Sequence, residues 1–417
     1  MSDTAIARGL GDELTDTSPR TGSSRGRGAF TLRNLLLLVA LVLMLVAPIF
    51  VPEFWLRTGF AVFGAIIGAI GLNLLVGTTG QLSLAHAFFL AVGAITYVFV
   101  SGAAGGTATT VEGLGYPPLV GMIAGVLLAG LAGLLFSPVA ARLRGIYLGV
   151  ASLGLVFIGQ HVLNTWTSVT GGFNGRTAPK FELFGFSFGS DKPTLFVANV
   201  PFRGPERLWY LGLVLAILAY VFAKNLLRSR PGRALQTLRD SEVAAAVMGV
   251  DVQRYKARVF LVSSMYAGLA GVLYALSIGS VAPESFALDL SVLYLAMIVL
   301  GGLGSVGGAA LGAAFVSALP LVFQQYADKL PFVSQPGQGG VSAGQAARLL
   351  FGLAIILVVL FEPEGIVGFS NRIKRIFRRS PRPTPDPTRS DPSRPAPSAG
   401  PTPSHTPSHT PAQGSTT

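Results

Sequence analysis

The residues that could carry out chemistry in this chain are few and lie far apart. His86 and His161 are the histidines outside the C-terminal tail, and no second His, Cys or carboxylate stands at ligand spacing beside either one. We therefore predict no metal site, and a histidine that packs inside the protein or lines a pathway is the favoured interpretation. Ser152 and His161 would lie about 13 Å apart along one helix, too far for a nucleophile and its base. We expect no catalytic residues and no enzymatic activity.

A glycine-rich stretch, GGLGSVGG at residues 301–308, could suggest a phosphate-binding loop. It has no lysine after it and no strand before it, so a tight turn or a close crossing of helices is the better interpretation. The P-loop pattern GxxxxGK[ST] does not occur anywhere in the chain. We expect no cofactor in this chain, and any step that uses ATP and Mg²⁺ would need a separate subunit to bind them.

The segment GTTGQ, residues 77–81, interrupts a hydrophobic stretch. A helix that restarts at Gln81 would direct backbone N–H groups and the positive end of its dipole at a carboxylate. Ser83 and His86 would share one face of that helix, and Asn73 would end the preceding helix. These four side chains are the candidate substrate path. The alternative, slightly favoured, is a cytoplasmic turn whose polar side chains hydrogen-bond across helices.

The elements that would position these residues are membrane helices. Only 12% of the residues are charged and 51% are hydrophobic, whereas soluble domains carry about 25% charged residues. We predict an all-α, polytopic membrane helical bundle with about ten spans, since each span needs roughly 20 mostly apolar residues. The predicted spans lie near residues 33–51, 58–76, 82–100, 118–141, 145–163, 208–224, 258–279, 290–303, 305–323 and 346–362.

Basic residues predict the topology, because cytoplasmic loops collect lysine and arginine. Arginines precede the first predicted span and follow the last, and residues 224–258 hold the densest internal basic stretch. This places both termini inside and assigns the net charge of +12 to cytoplasmic loops, with no nucleic acid as partner. The connection at 165–207 is expected outside. Residues 1–32 are predicted to be a disordered cytoplasmic tail, 33–370 the transmembrane domain, and 371–417 a basic, then Pro/Ser/Thr-rich disordered cytoplasmic tail.

Inside the basic stretch, residues 231–249 predict one short cytoplasmic helix. Pro231 suits its first turn, good helix formers follow, and Gly249 suits its end. The helix would lie at the membrane surface between two spans.

Four segments, in this order, resemble the LivM-type permeases of branched-chain amino acid ABC transporters. They are GLNLLVGTTGQLSLAHAFFLAVGAITY; RLRGIYLGVASLGLVF with NTWTSVTGGFNG; PGRALQTLRDSEVAAAVMGVDVQRYKARVFLVSSMYAGLAGVLYA; and SVLYLAMIVLGGLGSVGGAALGA. The resemblance extends over about residues 60–370. It implies a multi-pass subunit of the bacterial plasma (inner) membrane that forms the path for branched-chain amino acids. It also implies a LivH-like second permease, two ATPase subunits and an extracytoplasmic substrate-binding protein as partners, besides the lipid bilayer.

The same resemblance assigns the helix at 231–249 to contact with an ATPase subunit, through an EAA-like pattern. The matching positions are Glu242, Ala244, Ala245 and Gly249. The polar side of the same helix holds Arg239 and Asp240 beside Glu242. The alternative is a basic helix that lies on anionic lipid headgroups.

Two rival functions use the same membrane architecture. A urea or short-amide ABC permease is the alternative within the family. A secondary transporter is disfavoured, because ion coupling needs an ionisable group inside the membrane and no carboxylate falls at the predicted midplane of a span.

Overall fold

A computed structural model describes residues 26–105, 112–143, 145–183, 185–189, 195–197, 200–326 and 343–361. Within these residues the chain forms thirteen α-helices. They are α1 Gly26–Phe50, α2 Glu53–Thr79, α3 His86–Ser101, α4 Pro118–Arg142, α5 Ile146–Thr165, α6 Thr167–Thr170, α7 Gly204–Arg228, α8 Arg230–Asp240, α9 Glu242–Val247, α10 Val252–Ile278, α11 Leu288–Gly301, α12 Val306–Gln325 and α13 Ala343–Phe361.

A helix occupies each of the ten positions where the sequence predicted a span. Among the described residues, six helices are long and apolar enough to cross a membrane, namely α2, α4, α5, α7, α10 and α12. The helices α3 and α11, and the part of α1 from Leu38 to Phe50, are apolar but shorter. The helical membrane fold is therefore confirmed, whereas the count of ten spans is not.

The N-terminal boundary differs from its prediction. Helix α1 begins at Gly26, so residues 26–32 belong to a helix and not to the predicted tail. The remaining predicted tail at 1–25 and the C-terminal region 362–417 lie outside the described residues.

The centre of the bundle is built by α2, α3, α4 and α10, which cross closely at glycines. A Cβ added at Gly93 of α3 would overlap the backbone of Gly268 of α10, and one at Gly125 of α4 would lie 2.6 Å from the Gly93 carbonyl oxygen. Small residues at such crossings let backbones approach and gain dispersion contacts that lipid cannot replace. Apolar side chains such as Leu127 and Leu135 cover the outer face of α4, as expected for a surface in contact with lipid.

The connection between α5 and α7 contains short strands that the all-α prediction missed. The strands are β1 Arg176–Thr177, β2 Glu182–Leu183, β3 Phe186–Ser187, β4 Leu195–Val197, β5 Val200–Phe202 and, after α10, β6 Ser280–Val281. They form three antiparallel pairs, β1 with β6, β2 with β3, and β4 with β5.

Two buried arginines hold this connection in place. Arg176 donates hydrogen bonds to the carbonyl oxygens of Val169, at 2.6 Å, and Glu112. Arg207 donates to those of Ser187, at 2.7 Å, and Phe202, at 2.9 Å. Burial lowers the pKa of Arg176, but an arginine stays protonated in proteins. Both cations therefore need these carbonyl partners, which fixes the path of the connection.

Candidate functional site

The break between α2 and α3 is longer than the sequence predicted. Helix α2 ends at Thr79, Gly80 adopts the left-handed conformation with φ +70°, and α3 begins at His86. The prediction that a helix restarts at Gln81 is therefore wrong. Ser83 precedes the helix that was expected to contain it, and Asn73 lies inside α2 and does not end it.

Side chains from distant helices explain why α3 starts late. The Leu84 amide donates to the Ser152 hydroxyl of α5 at 2.8 Å, and the Ala87 amide donates to the Ser291 hydroxyl of α11 at 2.9 Å. Backbone N–H groups at a helix start need such partners when water is excluded. The non-helical segment 80–85 is thus held by the bundle around it.

All four predicted path residues are buried at or near this break. Asn73, Gln81, Ser83 and His86 expose 0%, 6%, 3% and 2% of their surfaces. The Asn73 side-chain oxygen accepts a hydrogen bond from the Gly304 amide at 2.9 Å. Within the described residues, the Gln81 amide and His86 Nε2 have no hydrogen-bond partner. Buried polar atoms without partners are costly, so they favour a position where water or a ligand can reach.

His86 lies in the interior of the bundle, at the depth of the middle of α2. Its ring packs edge-on against Tyr294 of α11, with 4.8 Å between ring centroids. The Tyr294 ring also occupies the space beside Gly68, where an added Cβ would overlap it. Gly68 is close to the midpoint of Glu53–Thr79. Helix α3 therefore begins inside the bundle, after the non-helical segment 80–85.

A cavity of about 450 Å³ lies on the other side of Tyr294. Its walls come from the first half of α2, the last turns of α10, α11 and the second half of α12, and they are mostly aliphatic or aromatic. The polar side chains on these walls are Arg57, Thr58, Tyr274, Ser277, Tyr294 and Ser317. This volume is in the range of small-molecule sites. Tyr294 therefore lines the cavity and also packs against His86 at the buried polar break.

The predicted cytoplasmic helix at 231–249 is divided in the structure. Helix α8 ends at Asp240 and α9 begins at Glu242, because the Ser241 hydroxyl accepts a hydrogen bond from the Ala244 amide at 3.2 Å and caps a new helix. Gly249, with φ +83°, follows the end of α9. We call the whole segment 230–249 the α8–α9 segment.

Arg239 connects this segment to the break. Its Nη1 donates to the Gly77 carbonyl oxygen near the end of α2 at 2.8 Å. Gly77 in turn packs so closely on Gly304 that an added Cβ would lie 2.5 Å from the Gly304 nitrogen. Gly304 belongs to the glycine-rich turn between α11 and α12, which Asn73 also contacts. The sequence predicted a tight turn there, and the structure has one.

Glu242 forms an ion pair inside the chain. Its carboxylate lies 2.7 Å from Lys256 Nζ of α10, and the Lys256 side chain is 1% exposed. Ala245, another predicted contact residue, is fully buried on the same side of α9. Glu242 and Ala245 therefore attach α9 to the bundle.

The opposite side of α9 is exposed and apolar. Val243, Val247 and Met248 expose 69%, 84% and 77% of their surfaces, and the predicted residues Asp240, Ala244 and Gly249 are exposed with them. The sequence predicted none of these three large apolar residues as a contact. Large apolar residues exposed at the end of a helical bundle are typical of a protein-binding surface.

The comparisons with known proteins agree with this architecture. Residues 55–360 match the family described as branched-chain amino acid transport system / permease component. The high-affinity branched-chain amino acid transport system permease protein LivM of Escherichia coli strain K12 is 31% identical over 353 residues, which cover 82% of this chain and 76% of that protein.

Two archaeal relatives extend the comparison. A probable LivM of Methanocaldococcus jannaschii is 24% identical over 79% of this chain and 93% of its own length. A probable LivH of the same organism is 26% identical over 76% of this chain and 92% of its own length. No solved structure matches the chain.

Proposed function

The chain belongs to the family of branched-chain amino acid transport permeases, and from this membership we propose that it forms the transmembrane path for branched-chain amino acids in an ATP-driven importer. The observation that carries the proposal is the extent of the family match, which includes every helix that lines the cavity and both sides of the break. A mostly apolar cavity with a few polar side chains on its walls suits a solute with an aliphatic side chain and polar ends.

The energy source would be a partner. The sequence has no P-loop, so ATP and Mg²⁺ would be bound by two separate ATPase subunits. Relatives of both the LivM and the LivH type match this chain, which supports pairing with a LivH-like second permease. An extracytoplasmic binding protein would deliver the solute.

The α8–α9 segment is the proposed coupling element. Its exposed apolar face, Val243, Val247 and Met248, would dock on an ATPase subunit. Arg239, which is bound to Gly77, would transmit the motion to the break and to the α11–α12 turn. The rival arrangement, an interfacial helix that buries its apolar face in the boundary below anionic headgroups, would use the same exposed face, and co-purification of the ATPase subunits distinguishes the two.

We propose that ten spans place both termini, and the α8–α9 segment, on the cytoplasmic side of the bacterial plasma membrane, because residues 224–258 are the densest internal basic stretch. The chain contains no cysteine, so a single Arg230→Cys variant can be labelled without background from this subunit. We expect a membrane-impermeant maleimide to label it in inside-out vesicles and not in intact spheroplasts. Labelling from outside would contradict the topology.

The substrate can be tested by uptake. A strain that lacks the gene should regain uptake of radiolabelled leucine when the chain is supplied. Unlabelled isoleucine and valine should compete, whereas urea and short amides should not. Restored uptake of an amide without restored uptake of leucine would favour the urea or short-amide alternative.

A further inference from the structure

An ion pair stands at the mouth of the cavity that the proposed function makes the substrate path. Arg57 lines the cavity and also a neighbouring recess of about 240 Å³, and Ser277 borders both. Arg57 is paired with Glu53 one turn earlier on α2, and the two side chains expose 63% and 52% of their surfaces. The cation that lines the cavity, Arg57, and the anion paired with it, Glu53, are therefore both accessible.

The geometry of the pair leaves donors available. Arg57 Nε and Nη2 lie 2.7 Å and 2.6 Å from the same oxygen, Oε1 of Glu53. A guanidinium carries five N–H donors in a planar fork, so the pair uses only part of it. Arginine can bind a carboxylate through two parallel hydrogen bonds, in a bidentate arrangement, and a carboxylate accepts hydrogen bonds from an ammonium group.

We propose that this cavity binds its solute as an amino acid zwitterion, with the carboxylate on Arg57, the ammonium on Glu53 and the aliphatic side chain between α2, α10, α11 and α12. The inference rests on the proposed function and adds the recognition chemistry within this chain. A charged side chain would be disfavoured, because the walls around Leu293, Met297 and Val316 are apolar. A neutral amide would make no use of either charge.

Protection of a single cysteine tests the proposal in the assembled transporter. Ser317 lines the cavity, and its hydroxyl has no hydrogen-bond partner among the described residues, so Ser317→Cys is a small change. Labelling by a water-soluble thiol reagent is measured on the separated subunit, without the binding protein. We expect leucine to slow the labelling, and 4-methylpentanoate and 3-methylbutylamine, which each lack one charged group, to protect about tenfold more weakly.

Charge variants then identify the groups that recognise the solute. In the Ser317→Cys background, Arg57→Gln should raise the leucine concentration for half-protection about tenfold or more, and Arg57→Lys should raise it less. Lys180→Gln is the matched control, because Lys180 borders the neighbouring recess and not the cavity. It removes the same charge from the same end of the bundle and should leave protection unchanged.

Several results would overturn the proposal. Absence of protection by leucine at labelled Ser317→Cys would show that leucine does not occupy the cavity, and equal protection by leucine and its two analogues would show that only apolar fit matters. Equal effects of Arg57→Gln and Lys180→Gln would show that any positive charge at this end of the bundle attracts the solute, without a specific contact to Arg57. Leucine uptake by the unaltered transporter, measured in parallel, distinguishes failure of the zwitterion site from failure of the proposed function. Normal uptake with any of these results rejects the zwitterion site alone, whereas absent uptake rejects the proposed function.

Discussion

Replacement of Arg239 with alanine is expected to lower ATP-driven leucine uptake about tenfold or more, while the ATPase subunits still co-purify with the complex. The Arg239 hydrogen bond to the Gly77 carbonyl joins the α8–α9 segment to the end of α2. A hydrogen bond from a charged group contributes about 1.5–3 kcal/mol, and each 1.4 kcal/mol changes an equilibrium about tenfold. The exposed apolar face of α9 would remain, so the ATPase subunit should still dock. Its motion would no longer be transmitted to the break between α2 and α3.

The readout is the ratio of leucine imported to ATP hydrolysed in reconstituted vesicles. Arg233→Ala is the matched control, since Arg233 is an exposed arginine of the same helix. It should transport like the parent. A normal ratio for Arg239→Ala, or an equal loss for both variants, would show that the Arg239 contact does not couple the two parts of the chain.

Replacement of Lys256 with methionine is expected to release the ATPase subunits and to abolish uptake. Lys256 is 1% exposed and lies 2.7 Å from Glu242. Removing one member of a buried ion pair is strongly destabilising, and Glu242, whose side chain is 24% exposed, would lose its Lys256 partner. Helix α9 has only the six residues Glu242–Val247, so we expect it to leave its position on α10 and to carry the docking face with it. Co-purification of the ATPase subunits measures this loss.

A double variant separates the ion pair from general damage to the fold. Glu242→Gln combined with Lys256→Met removes both charges of the pair, and it should recover much of the co-purification that Lys256→Met loses. Arg254→Met serves as the control on the same helix, because its pair with Asp251 is exposed, and exposed pairs contribute little. Undiminished co-purification in the Lys256→Met variant would show that this pair does not hold α9.

The sequence predicted the positions of the long helices because each depends on a local property, a run of apolar residues long enough to cross hydrocarbon. It failed where non-local contacts decide the backbone. The start of α3 depends on the hydroxyls of Ser152 and Ser291, remote in sequence, which accept hydrogen bonds from the Leu84 amide before the helix and the Ala87 amide in its first turn. Strand β1 was missed because it pairs with β6, which follows α10, and the local pairs β2–β3 and β4–β5 were missed because each strand has only two or three residues. The break at Ser241 could have been found, since serine before Glu-Val-Ala-Ala is a recognisable helix cap.

In the candidate site, too, local features could be predicted from the sequence and non-local ones could not. Asn73, Gln81, Ser83 and His86 were identifiable as polar residues in an apolar context, and all four are buried. The cavity was not identifiable, because its walls come from four helices that only the fold brings together. Tyr294, which lines the cavity and packs against His86, carries no sequence signal beyond a tyrosine inside a span. Lys256 was counted with the solvated basic residues, since nothing local distinguishes it from its exposed neighbour Arg254.

The central claim, that this chain is the path of an ATP-driven importer for branched-chain amino acids, is tested most directly by reconstitution. The chain, a LivH-like permease and the two ATPase subunits are placed in vesicles with the binding protein outside and ATP inside, and accumulation of radiolabelled leucine is measured. Leucine should accumulate against its gradient only when ATP and both ATPase subunits are present, and not with a non-hydrolysable analogue. Accumulation driven by a proton or sodium gradient without ATP, or no accumulation of leucine in the complete system, would contradict the claim.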